Sequence, residues 1–263
     1  AVDEAKAVGA QKIIHFGHAE FIHINDIEVE YVEYSIDADL SILKESLEML
    51  KEYKKINVVT TVQHLKQLPS IKEFYEKNGK EVIIGRPYGL AKYSGQILGC
   101  DVGSAATVDK EVDAHVYFGG GLFHPLGAVY ATKKPFLSID PFADKMLWLD
   151  EYREKRKKLE KGLIIKSLSA KNFGILVSTK VGQYNIELAK IIKEKLEKNG
   201  LNGFILVANT FDFDSLNNML EIDAFVNTAC PRIATEDNDR LRKPLLSPNM
   251  LEEMLKIKAG KEK

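Results

Sequence analysis

The chain has 263 residues, a formal net charge of −1 and 45% hydrophobic residues, enough for a sizeable core in one large domain or two to three small ones. Near-neutral charge argues against nucleic-acid binding, which needs a basic excess to neutralise phosphates. No apolar stretch reaches the roughly 18 residues of a spanning helix and no signal peptide is visible, so a cytoplasmic protein without membrane contact is expected.

The sequence starts at Ala1, without a methionine, inside an expected helix over Val2–Val8, and a segment ahead of it is expected. An apolar run, Lys12–His18, and a strand over Ile27–Tyr34 follow. The charge-rich stretch Asp37–Lys55 reads as a connecting helix with a solvated face. Asn57–Gln63 is a strand-like run leading into an amphipathic helix that stops at Glu76-Lys-Asn-Gly79, where glycine takes the left-handed conformation at least cost. The apolar run Glu81–Gly85 comes next, then Gly95-Gln-Ile-Leu-Gly-Cys100. His115–Gly121 and Pro135–Ile139 repeat the plan of Lys12–His18 and Ile27–Tyr34, and Asp144–Lys161 reads as a second connecting helix. Leu176–Gln183 matches Asn57–Gln63, its helix again ends in Glu-Lys-Asn-Gly at Glu197–Gly200, and Gly203–Val207 follows. Ala224–Cys230 and Pro244–Leu246 close the pattern.

Strands alternating with helices in this way predict parallel sheets. The expected fold is α/β: three similar parallel-sheet domains around a central site, at 1–55, 56–161 and 162–263, the first truncated at its N-terminus. A single doubly wound domain is the simpler alternative.

Cys100 and Cys230 each close a strand-like run, and they stand too far apart for a local zinc pattern. Cys100 lies 18 residues before Phe118, and Phe118 aligns with Phe16, so an equivalent cysteine would fall about three residues ahead of Ala1. Three thiolates from three similar domains would hold an iron–sulfur cluster with one iron open. Taken singly, either cysteine is equally a small buried hydrophobe.

Other candidates sit at strand ends, where α/β sheets bind ligands. Gly119-Gly120-Gly121 is a glycine-rich turn whose amides suit a carboxylate or phosphate, and His124 either contacts a ligand there or caps the following helix. Gln183 is placed to hydrogen-bond a ligand, and Arg232 to grip a carboxylate or form a surface ion pair. Asp140 is a polar site residue or a turn starter. His15, His18 and His23 fit no helical metal-ligand spacing. Serine elbow, P-loop and H-E-x-x-H motifs are absent.

Four separated motifs, Gly95–Cys100, Val116-Tyr-Phe-Gly-Gly-Gly-Leu-Phe-His-Pro-Leu-Gly127, Ser138-Ile-Asp-Pro-Phe142 and Asn227-Thr-Ala-Cys-Pro-Arg-Ile233, with the later Lys243–Pro248, resemble the archaeal diphthamide biosynthesis enzymes, in order and across Gln11–Leu255. The resemblance implies three α/β domains around a 4Fe–4S cluster, each giving one cysteine, with Cys100 and Cys230 as the second and third ligands. It implies S-adenosylmethionine at the open iron, cleaved between sulfur and the γ-carbon. The resulting 3-amino-3-carboxypropyl radical would add to a histidine of translation elongation factor 2. A homodimer and an unidentified electron donor are implied as well. The first cysteine ligand has no counterpart in this sequence. Two alternatives stand beside this reading: a quinolinate synthase-like enzyme, also three domains around a three-cysteine cluster, and a cluster-free partner subunit.

Overall fold

The computed structural model describes residues 2–20, 22–180, 182–230, 233 and 241–261. It divides into two compact units, 1–154 and 155–263.

The first unit opens with α1 (Val2–Ala7), then β1 (Lys12–Phe16) and β2 (Glu28–Val32), which pair in parallel as a two-stranded sheet. Next come α2 (Leu43–Met49), β3 (Lys55–Thr60), a short 3-10 turn over Val62–Gln67, α3 (Leu68–Lys77), β4 (Glu81–Ile83) and α4 (Gly103–Ala106). The unit is completed by β5 (Ala114–Phe118), α5 (Phe123–Ala131), β6 (Phe136–Asp140), β7 (Lys145–Trp148) and the start of α6 (Asp150–Ser167). Its main sheet runs β4-β3-β5-β6-β7. The second unit contains the end of α6, then β8 (Asn172–Ser178), α7 (Ile186–Lys198), β9 (Asn202–Ala208), α8 (Phe213–Asn217), β10 (Ala224–Asn227), β11 (Leu245–Leu246) and α9 (Pro248–Lys261), with its sheet in the order β11-β10-β8-β9. Among the described residues no helix is long and apolar enough to cross a membrane.

Both larger sheets are covered on two faces, which is why their central strands read as near-continuous apolar runs. In the first, Val58, Val116 and Leu137 face one cluster, and Val59, Tyr117 and Phe136 the other. In the second, Ile175, Val226 and Leu246 face one cluster, and Leu176, Phe225 and Leu245 the other. The β1–β2 pair has no fully buried residue in either strand.

The repeat seen in the sequence extends to single hydrogen bonds. β4-β3-β5-β6 corresponds to β9-β8-β10-β11. Leu68, Ile71 and Tyr75 of α3 bury at the same spacing as Ala189, Ile192 and Leu196 of α7. Gly79 and Gly200 both take positive φ after these helices. The Asp113 carboxylate accepts the Lys54 and Lys55 amides where β3 starts, and Asp223 accepts those of Lys171 and Asn172 where β8 starts. Pro135 and Pro244 each offer a carbonyl to the neighbouring strand, at the His115 and Phe225 amides.

Three expectations need correction. The stretch Asp37–Lys55 is helical only over Leu43–Met49; ahead of it the Gln67 side chain takes both the amide and the carbonyl of Ala38, which a helix would otherwise use. Asp144–Lys161 does not start as a helix: Asp144 takes a φ of 49° and turns the chain into β7, which pairs antiparallel with β6. Gly95–Gly99 is no strand. It makes one bridge, Gln96 to Thr60, while the Gly95, Gln96 and Leu98 amides close local contacts with Gly85, Tyr93 and Asp101.

Candidate functional site

In the first unit the chain leaves β3 for β4 on one side and returns to β5 on the other. The β3–β5 boundary is therefore the switch point where such sheets bind ligands, outside the carboxyl ends of their strands. Thr60, the last residue of β3, donates its hydroxyl to the Phe118 carbonyl at the end of β5 (2.6 Å). The segment leading to Cys100 attaches at the same edge, since the Ile97 amide donates to the Thr60 carbonyl (2.9 Å). Cys100 is exposed and forms no disulfide. Beside it, burial would push the Asp101 carboxyl up, but the amides of Tyr88, Ala91, Gly103 and Gly89 outweigh this and hold it below the usual carboxylate range.

Gly119–Gly121 continues β5 at this edge. Gly119 takes a φ of 150°, and a Cβ there would lie 2.8 Å from the Tyr117 hydroxyl, so only glycine fits. The Gly121 amide donates to Asp140 (3.0 Å), whose other oxygen accepts the Phe142 and Ala143 amides. Desolvation of Asp140 is outweighed by these amides and its carboxyl is held low. Asp140 therefore acts as a turn anchor tying the glycine turn to the β6–β7 hairpin. His124 is the second residue of α5, whose N-cap is Leu122, so it is not the cap; its ring stands edge-on to Phe123 (4.7 Å). Further along α5, Gly127 leaves room for the carbonyl of Gly99, which a Cβ would meet at 3.3 Å. The Cys100 loop, the glycine turn and α5 thus share one edge.

In the second unit the switch point lies between β8 and β10. Thr228 closes it by donating its amide (3.1 Å) and hydroxyl (2.8 Å) to the Leu176 carbonyl. Cys230 is half-buried and stands three residues beyond β10, not at its end as the sequence pattern suggests. The Asn227 side chain holds the turn: its amide donates to the Cys230 carbonyl (2.8 Å) and its oxygen accepts the Ala229 amide (3.0 Å). Cys230 and Gln183 line one cavity of about 370 Å³, together with Lys180, Asn209, Asp212 and Phe213. Two candidates far apart in sequence are thereby brought together. Arg232 lies outside the described residues. A larger, mostly apolar groove of about 590 Å³ in the first unit, between Glu33, Leu65, Pro69 and Tyr93, contains none of the candidates.

Comparison with known proteins shows which family the chain belongs to. The family model of diphthamide synthesis proteins matches residues 1–263. The chain belongs to the diphthamide synthesis family. The 2-(3-amino-3-carboxypropyl)histidine synthase of Pyrococcus horikoshii is 37% identical over 259 residues, covering 97% of this chain and 73% of the relative. Subunit 1 of the same synthase from Schizosaccharomyces pombe is 29% identical, over 93% of this chain and 57% of that protein. The crystal structure of Dph2 from Pyrococcus horikoshii with a 4Fe-4S cluster superposes with a TM-score of 0.87 at 35% identity, covering 97% of this chain and 73% of that one. Membership makes the chain an enzyme of diphthamide synthesis, a transferase of the 3-amino-3-carboxypropyl group, with the mixed α/β fold of that structure.

As a member of this family the chain offers soft thiolate donors, the ligands that iron–sulfur clusters take. Both cysteines stand at the carboxyl edges of their own sheets, outside any disulfide, and in that respect they fit. Among the described residues no three of His, Cys, Asp or Glu converge on a point that would hold a metal ion. His15 bonds His18 instead (2.9 Å), and His23 bonds Glu20 (3.1 Å). Sequence reasoning missed Asp101, Gln96 and His64. His64 packs against Phe118 and Phe142 and stands 3.4 Å from where a Gly119 Cβ would be. Asp101 adjoins Cys100 and Gln96 lies inside the Gly95–Cys100 motif, which hinted at both, while His64 carried no signal.

Proposed function

We propose that this chain catalyses the first step of diphthamide biosynthesis, moving the 3-amino-3-carboxypropyl group of S-adenosylmethionine to a histidine of translation elongation factor 2. Cys100 and Cys230 are two thiolate ligands of a 4Fe–4S cluster in this reading, and three domains, 1–55, 56–161 and 162–263, contribute to the site. When bound, the cluster supplies the electron that splits the bond between sulfur and the γ-carbon. The chain's own part is binding, orientation and exclusion of water. Gly119, Gly120 and Gly121 with His124 border the substrate in this reading. Gln183 and Arg232 bind its polar groups, with Lys180, which lines the same cavity as Gln183, adding a positive charge for the carboxylate. The enzyme works as a homodimer and takes its electron from a separate donor.

The observation that carries this reading is the cavity at the carboxyl edge of the second unit's sheet, which Cys230 and the polar side chain of Gln183 both line. The test is anaerobic expression of the full reading frame, with Cys100→Ala and Cys230→Ala beside it. About four irons per chain and broad visible absorbance are expected, with both variants losing most of the iron and all transfer to elongation factor 2. Wild-type iron and activity in either variant would remove that cysteine from the ligand set. An iron-free wild-type protein would favour the partner-subunit reading.

A further inference from the structure

The connection from β4 to α4 is long and carries Cys100, yet six consecutive amides within it end on only two side chains. Asp101 accepts those of Tyr88 (3.0 Å), Gly89 (3.0 Å), Leu90 (2.8 Å) and Ala91 (2.9 Å). Gln96 accepts the next two, Lys92 (3.0 Å) and Tyr93 (3.1 Å), through its side-chain oxygen. Asp101 takes a fifth amide, that of Gly103 (2.9 Å), so the same carboxylate fastens the strap to α4. Both side chains are 1% exposed. Successive amides converging on a carboxylate offset the cost of burying its charge.

The two acceptors flank Cys100 and are themselves fixed. Gln96 is held at the sheet edge on either side, by the Thr60 amide on Gly95 (2.8 Å) and the Ile97 amide on Thr60 (2.9 Å). On the other flank Gly103 touches the strap so closely that a Cβ would lie 2.3 Å from the Tyr88 nitrogen. An unbroken set of contacts therefore runs from β3 through the strap to the residues around the exposed thiol.

We propose that Gln96 and Asp101 are positioning residues: by gathering the Tyr88–Tyr93 strap they set the Cys100 thiol at the carboxyl edge of the sheet before any cluster binds. The inference rests on the reading of Cys100 as a cluster ligand. It assigns Asp101 no contact with the cluster, because its oxygens are committed to amides.

The test uses the full-length protein with Asp101→Asn, Gln96→Leu and, as control, Asp113→Asn, which disturbs a carboxylate–amide anchor at the opposite edge of the same sheet. Amide hydrogen exchange is measured on the cluster-free protein, and the reduced-cluster electron paramagnetic resonance spectrum after reconstitution. Asp101→Asn is expected to speed exchange across 88–93 about tenfold or more, to leave β3 as in wild type, and to alter the spectrum. Gln96→Leu should do the same for residues 92 and 93, and it serves alone if Asp101→Asn does not fold. Asp113→Asn should change neither the strap nor the spectrum. Wild-type exchange over 88–93 together with a wild-type spectrum would overturn the proposal. Faster exchange combined with a Cys100→Ala protein of unchanged iron and spectrum would overturn it at the other end, by removing Cys100 from the ligands while leaving the strap intact.

Discussion

In the first unit the cysteine rides on the long β4–α4 connection, whereas in the second it follows β10 after three residues, although the two sheets share one strand order. The anchoring differs with the route. Around Cys100 a buried carboxylate collects five amides and a glutamine two more. Around Cys230 a single asparagine spans three residues of turn. A long connection leaves many backbone groups to satisfy and a large loop entropy to overcome, and it needs an ionised acceptor to do both. A short turn needs only one neutral side chain. Duplicating a sheet therefore reproduces the edge at which a thiol is presented, while the way it is held is set afresh for each loop.

Substitutions can break this comparison. Asp101→Ala removes the acceptor of five amides and is expected to destabilise the first unit by about 3 kcal/mol; urea unfolding followed by exchange on peptides from each unit would measure it, and a loss under about 1 kcal/mol would contradict the anchoring role. Gly103→Ala pushes a methyl into the strap and should cost about 1–3 kcal/mol by the same measurement. Asn227→Ala should cost about 1–2 kcal/mol, confined to the second unit. A loss there as large as that of Asp101→Ala would erase the contrast between the two loops.

The smallest effects sharpen what the units share. Asp113 is held below the usual carboxylate range chiefly by the Lys55 amide, and Asp223 by the Asn172 amide. Each is more acidic folded than unfolded, so its contribution is full above the ordinary carboxylate pKa and is lost as pH falls through the lower, folded value. Asp113→Asn and Asp223→Asn should each cost about 1 kcal/mol at pH 7 and flatten the acid loss of stability below about pH 4. Clearly unequal costs would show that the two anchors are alike in geometry only.

Much of the fold was legible in the sequence because it rests on local rules. Val and Ile runs ended at turns, Glu-Lys-Asn-Gly marked α3 and α7 through glycines that do take positive φ, and Lys-Pro stood ahead of both β6 and β11. The candidate site was picked out in the sequence through Cys100, Cys230, the glycine turn and Gln183, since few residue types carry such chemistry. Their supports were not. Asp101 is one of 38 acidic residues, and beyond its place next to Cys100 nothing local shows that its carboxylate will be buried under amides more than ten residues upstream. Gln67 likewise gives no local sign that it will pair with Ala38 and end a helical pattern, nor Asp144 that it will turn the chain into an antiparallel strand.

By itself, then, the sequence determined the α/β class, the repeated unit and the family, all of which follow from periodicity and from motifs a few residues long. Only the tertiary structure decided which backbone amides each buried acceptor collects, that Cys230 and Gln183 face one cavity, and that the two cysteines leave their sheets by different connections. Those outcomes depend on contacts between segments remote in sequence, where the energy of satisfying buried polar groups, and not local preference, selects the partner.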